Sequence, residues 1–180
     1  MKLGNLFLDA DNKVKIGDFG LAAKLQFDRE KKRTVCGTPN YIAPEVLQAK
    51  GYDFSIDVWA VGVMIYSLYY TIPPFETEQA FTTYEKIRNC DYIIPKNNNV
   101  PPQAIDLIKR ILVADVCKRL NLDEILNSSF MKLGKGIPQG LPPCILKKAP
   151  SQKELSRWPL LLVKNESSDP VQKMPLGRLM

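Results

Sequence analysis

Apolar positions along the chain form two short runs, thin out over a long polar stretch, and then return at helical spacing. Leu6-Phe7-Leu8 and Val14-Lys15-Ile16 are strand-like and flank Asp9-Ala10-Asp11-Asn12, a set of turn-forming residues. This predicts a hairpin. With the turn centred on Asp11-Asn12, paired positions sum to about 23, and Asn5 faces Asp18 at the open end. Asp18 to Pro44 has little periodicity, many charges and several glycines. It predicts a long loop, and structureless loops beyond about 12–15 residues tend to be functional.

Pro44 suits the first position of a short helix running to about Ala49. Ile56 to Tyr70 is apolar nearly all round, which predicts a helix buried on every side. Ala80 to Asn89 sets Phe81, Tyr84 and Ile87 on one face. Gln103 to Val113 does the same with Ala104, Leu107, Ile108, Ile111 and Leu112. Asn121 followed by Glu124 resembles a capping box opening a last short helix through about Asn127. No internal repeat is present. The fold class is therefore mainly α: a small β-hairpin, one long loop and a helical body over residues 1–130, with a linker-like tail over 131–180.

Composition refines this picture. The chain has 180 residues, enough for a domain with a core, and a net charge of +6. That charge is unevenly placed. Residues 1–130 hold 16 Lys+Arg and 16 Asp+Glu, whereas residues 131–180 hold 9 Lys+Arg, 3 Asp+Glu and seven of the fourteen prolines. A basic, proline-rich tail on a neutral body reads as an extended segment. Its only tryptophan is Trp158, too little aromatic content for a nucleic-acid surface, so no nucleic-acid partner is expected.

The chain has no histidine, which excludes histidine bases, histidine triads and His-ligated zinc. Cys36, Cys90, Cys117 and Cys144 are widely spaced and suit a reducing compartment. No secretory signal is visible near the first apolar cluster, and Val58 to Tyr70 is too short to cross a bilayer. A soluble cytoplasmic or nuclear protein without a membrane partner is expected.

The first candidate chemistry lies at the hairpin mouth. An Asn carbonyl and an Asp carboxylate brought together at Asn5 and Asp18 offer hard oxygen ligands of the kind Mg2+ prefers, with phosphate and water completing its shell. Lys2 could reach a phosphate as a point charge. Asn/Asp pairs at hairpin mouths also serve as turn caps, and the pair alone does not choose between the two.

The linear context does. Asp18-Phe19-Gly20 opens the long loop, Ala43-Pro44-Glu45 closes it, and Lys2-Leu3-Gly4-Asn5 matches the end of a kinase catalytic loop. With these three markers in order, the chain resembles the C-terminal lobe of a eukaryotic serine/threonine protein kinase. Cys36-Gly37-Thr38-Pro39-Asn40-Tyr41, Pro73-Pro74-Phe75-Glu76-Thr77 and Gly136-Ile137-Pro138 make it similar to the polo-like kinase family over about residues 2–148.

The resemblance implies ATP and Mg2+ as cofactors, protein substrates, and transfer of phosphate to Ser or Thr. It implies that Asp18 and Asn5 bind magnesium, that Lys2 steadies the γ-phosphate and that Thr38 shapes the pocket for the substrate hydroxyl. Thr34, after Lys31-Lys32-Arg33, matches the activation-loop phosphosite. Glu45 and Arg119 match a structural ion pair, and Asp57 matches a residue that holds the catalytic-loop backbone. Cys36 is expected to be a small packed residue.

In H-R-D-x-x-x-x-N the catalytic base stands five residues before the Asn. Counted back from Asn5, that place falls just ahead of Met1. The expectation is a partial kinase domain without its base or ATP-clamping N-terminal lobe, inactive alone and marginally stable. Its long helix would lose about 25 cal/mol for each Å² of apolar face left uncovered. The alternative is a non-catalytic kinase-like protein that binds kinase substrates or regulators. Centrosomal placement is expected only of the full-length family.

Overall fold

The computed structural model describes residues 1–134 apart from 10, 12, 28, 29, 97 and 98. Strands β1 (Leu6–Leu8) and β2 (Val14–Ile16) form a two-stranded antiparallel sheet, with Leu6 opposite Ile16 and Leu8 opposite Val14. The hairpin is as predicted, but its register is shifted by one residue because Asp9 organises the turn. The Asp9 carboxylate accepts the N–H groups of Asp11 (3.0 Å) and Lys13 (2.9 Å), and the Asp9 N–H donates to the Lys13 carbonyl at 3.0 Å. The bond from Lys13 leads the effects that hold this carboxyl below its ordinary range, with Lys15 at 3.3 Å adding to it. Asn5 therefore stands opposite Gly17, whose N–H reaches the Asn5 carbonyl at 2.8 Å.

The long loop is present. Among its described residues the regular features are a bridge between Lys32 and Tyr52 and a 3-10 turn at Pro39–Tyr41. Helix α1 (Pro44–Leu47) starts at the predicted proline and ends early, where Ala49 turns left-handed at φ 52°. Helices α2 (Ser55–Tyr70), α3 (Ala80–Asn89), α4 (Pro102–Ile111) and α5 (Leu122–Leu126) follow the predicted patterns. The capping box at the start of α5 is complete: Asn121 Oδ1 accepts the Glu124 N–H at 2.9 Å, and Glu124 accepts the Asn121 N–H at 2.8 Å. A further helix, α6 (Ser129–Leu133), has no counterpart in the predicted pattern; it is capped by Ser128.

The core lies where α4 crosses α2. Trp59, Val63, Phe75, Ile87, Leu107, Ile108 and Ile111 are fully buried, and the Trp59 and Phe75 rings stack with centroids 5.5 Å apart. Close approach depends on Gly62: a Cβ there would stand 2.5 Å from Ile111 Cγ2 and 2.9 Å from Leu112 Cδ2.

Two burial expectations are corrected. α2 is not buried on every side, because α4 covers one flank while Leu68, 65% exposed, faces outward with Phe54 and Ile72 beside the helix ends. On α3, Phe81 is exposed and Thr83 takes the inner place with Ile87. Phe81 and Thr83 point about 200° apart at 100° per residue, so only one of them can face the core. The Thr83 hydroxyl stays satisfied through Thr77 Oγ1 at 2.8 Å. No helix among the described residues is long and apolar enough to cross a membrane.

Candidate functional site

The hairpin brings Asn5 and Asp18 together. Asn5 Nδ2 donates to Asp18 Oδ2 at 3.1 Å, and the Gly20 N–H donates to Asp18 Oδ1 at 3.3 Å. Asp18 adopts a left-handed backbone at φ 57°, a conformation that Asp tolerates better than most residues. This turn swings the chain out of β2 while keeping the carboxylate beside Asn5. Because the Asn5 amide N–H is used on Asp18, its Oδ1 remains available to a cation.

One amide oxygen and one exposed carboxylate fit Mg2+, which takes few protein ligands and fills its octahedron with water and phosphate. Among the described residues no group of three or more Cys, Asp or Glu could hold a metal without such help. Lys2 is half-buried, and its carbonyl accepts the Asn5 N–H at 3.1 Å, closing the 3-10 turn Leu3–Asn5 that leads into β1. The turn puts Lys2 next to Asn5 in the fold as well as in sequence.

The other end of the loop is anchored by Glu45 and Arg119. Their side chains are 6% and 1% exposed and meet fork to fork, Arg119 Nη1 to Glu45 Oε1 at 2.7 Å and Nη2 to Oε2 at 2.8 Å. Nη1 also donates to the Ser55 carbonyl, while Nε and Nη2 donate to the Val113 carbonyl, so all five guanidinium N–H groups are used. The guanidinium carbon stands 5.0 Å from the Trp59 ring centroid. Such full satisfaction is what lets an ion pair sit inside a core.

Thr38 is exposed; its carbonyl accepts the Tyr41 N–H at 2.9 Å, and its side chain does not cap the following turn. Thr34 is exposed too, and its carbonyl accepts the Tyr52 hydroxyl at 2.8 Å. Asp57 lies exposed in the first turn of α2, and its carboxylate has no hydrogen bond or ion pair among the described residues; the structure does not join it to residues 2–5. Cys36 is exposed rather than packed, in a stretch from Arg33 to Thr38 that is exposed throughout. Cys90 is half-buried, and burial raises its thiol pKa.

Pattern reading did not single out Tyr52. Its signal is faint: a glycine and two aromatics, Tyr52 and Phe54, in the short link between two helices. Burial raises the Tyr52 pKa from its ordinary value of 10.0, which already leaves the hydroxyl protonated and a donor at neutral pH.

Residues 1–131 match the family model of the protein kinase domain. Over 150 residues the chain is 48% identical to the serine/threonine-protein kinase PLK1 of Xenopus laevis, covering 83% of this chain and 25% of that protein. It is 44% identical to the serine/threonine-protein kinase polo of Drosophila melanogaster, covering 83% and 26%. The match to the cell cycle serine/threonine-protein kinase CDC5/MSD2 of Saccharomyces cerevisiae is 37% over 186 residues, covering 96% and 26%. The chain thus spans about a quarter of the length of these relatives.

Proposed function

This chain belongs to the protein kinase family, on its polo-like branch, and from that premise we propose that it is the magnesium- and substrate-facing part of a protein serine/threonine kinase. The observation that carries the reading is the contact between Asn5 and Asp18, made at the start of a loop that Glu45 and Arg119 tie down at its end. The hairpin and helical body correspond in this reading to the C-terminal lobe of the kinase fold. The longer protein uses ATP and transfers its terminal phosphate to a serine or threonine hydroxyl of a protein.

Asp18 and Asn5 hold magnesium with one carboxylate and one amide oxygen. Held there, magnesium would supply neutralisation of the charge on the phosphate oxygens. Lys2 adds a positive point charge beside them, placed by its turn. Thr38 lies at the entry to the Pro39–Tyr41 turn, exposed where a substrate hydroxyl can be positioned. Thr34 receives a regulatory phosphate, an added charge of about −1.5 to −2 beside Lys31, Lys32 and Arg33 that can order the loop. Kinase regulators are a second class of partner for the same exposed loop. Catalysis of this kind is chiefly positioning and electrostatics, so a part that positions one side of the reaction does not perform it alone.

Two measurements on the purified chain test the reading. Titration with Mg2+, followed by NMR of the Asn5 side-chain amide, should give a saturable shift that Asp18→Ala abolishes. A radiolabelled ATP assay should show no phosphate transfer to a protein substrate. An Asn5 signal indifferent to magnesium would remove the metal assignment. Magnesium-dependent transfer lost in Asp18→Ala would instead make these 180 residues a complete catalyst.

A further inference from the structure

The geometry points to a positioning role for Tyr52: we propose that it staples the Thr34 segment of the activation loop to the helical body. The role goes beyond the magnesium site and rests on the reading of residues 18–44 as the activation segment. Three hydrogen bonds make the staple. The Lys32 N–H donates to the Tyr52 carbonyl at 2.9 Å, the Tyr52 N–H donates to the Lys32 carbonyl at 2.8 Å, and the Tyr52 hydroxyl reaches the Thr34 carbonyl at 2.8 Å. The Tyr52 ring packs against the main core, so the hydroxyl is held from a rigid base.

Gly51 supplies an independent sign that this approach is built in. Its φ of +80° is left-handed, and a Cβ there would stand 3.1 Å from Lys31 Cβ. The backbone at residue 51 therefore needs glycine twice over, once for its conformation and once to let the loop come close. On the loop side, the Lys32 ammonium pairs with Glu30 at 2.5 Å, and Glu30 also accepts the Gln26 N–H. The Lys32 contact leads the effects that keep the Glu30 carboxyl below its ordinary range. Gln26, Glu30 and Lys32 are thus tied to one another, and Lys32 and Thr34 are tied through Tyr52 to the body.

The consequence concerns presentation. Thr34 is gripped by its carbonyl while its residue surface is exposed, so the loop can be held in place without occupying the hydroxyl. Among the described residues Tyr52 makes no hydrogen bond to Asn5, Asp18 or Thr38; it acts through the main chain of the loop.

Limited trypsinolysis of the full, unphosphorylated chain tests this, because Lys31, Lys32 and Arg33 are cleavage sites inside the staple and Lys13 in the hairpin is one outside it. Removing a single hydrogen bond with Tyr52→Phe should accelerate cleavage after residues 31–33 by about 2- to 12-fold. Cleavage after Lys13 should not change, and the melting temperature should fall by only about 1–6 °C. Gly51→Ala should act in the same direction. Amide hydrogen exchange of the wild type gives a second readout: the Lys32 and Tyr52 amides should exchange more slowly than that of Arg33. Unchanged cleavage in Tyr52→Phe, equal acceleration at Lys13, or a Lys32 amide exchanging at the free-peptide rate would each overturn the staple. Absence of phosphate on Thr34 after treatment with an activating kinase would bear on the phosphosite alone and leave these results standing.

Discussion

Glu45 and Arg119 stand 74 positions apart in sequence and meet side by side inside the core, through two hydrogen bonds of 2.7 and 2.8 Å. Glu45 belongs to α1, at the end of the long loop, and Arg119 to the link between α4 and α5. The pair therefore joins the last residue group of the loop to the far end of the helical body. Neither charge has water to fall back on, which sets the sign of the first prediction.

Removing one partner leaves the other charged and buried. Glu45→Gln or Arg119→Ala should destabilise the chain by about 3–5 kcal/mol, whereas replacing both with apolar residues, Glu45→Leu with Arg119→Met, should cost far less than the sum. Urea unfolding of the two single variants and the double variant measures this as a coupling energy. Additive losses would show that the pair does not act as a unit.

Gly62→Ala should cost about 1–3 kcal/mol, because its methyl would press on Ile111 Cγ2 at 2.5 Å in a helix crossing with no slack. Adding Ile111→Val, which thins the same contact, should return part of the loss. Thermal melts of the single and double variants decide it; an unchanged melting temperature for Gly62→Ala would mean the crossing can spread.

At Asp18, backbone and side chain make separable demands. Asp18→Ala places an alanine at φ 57° and should cost about 1–2 kcal/mol, while Asp18→Gly should carry no such penalty. Both remove the carboxylate and should lose the magnesium response of Asn5. Chemical denaturation alongside the NMR titration separates the strain from the ligand.

Tyr92 is the clearest pH marker. Burial, with smaller contributions from Cys90 and Tyr66, pushes its hydroxyl up to about 12. The folded chain then keeps this proton after the unfolded chain, titrating near the ordinary value of 10, has released it. The sign follows: stability is full below pH 10 and falls as pH rises from 10 to about 12. Burial raises Tyr66, Tyr69 and Tyr70 in the same direction. Urea midpoints between pH 9 and 12 should show a decline that is shallower in Tyr92→Phe, with the phenolate absorbance appearing late in the wild type.

What the linear pattern determined by itself was local or repeated. The Pro44 helix start, the α4 face of Ala104, Leu107, Ile108 and Ile111, and the Asn121–Glu124 box depend on residues within a few positions of one another, where helical spacing and capping chemistry are legible. The order of Asn5, Asp18 and Glu45 named the chemistry because each residue type has a job at that place in the motif. Tertiary structure decided the rest. It shifted the hairpin by one residue because a single carboxylate, Asp9, captured the turn N–H groups. It chose Thr83 over Phe81 for burial, since hydrophobicity does not say which side of a helix meets the core. It also gave Tyr52 a partner, since a hydroxyl 18 positions from Thr34 has no sequence signature until the loop folds back on the core. Helix period and caps act over one turn of chain, whereas register, facing and the grip on a loop are settled by which distant groups compete for the same hydrogen bond or the same space.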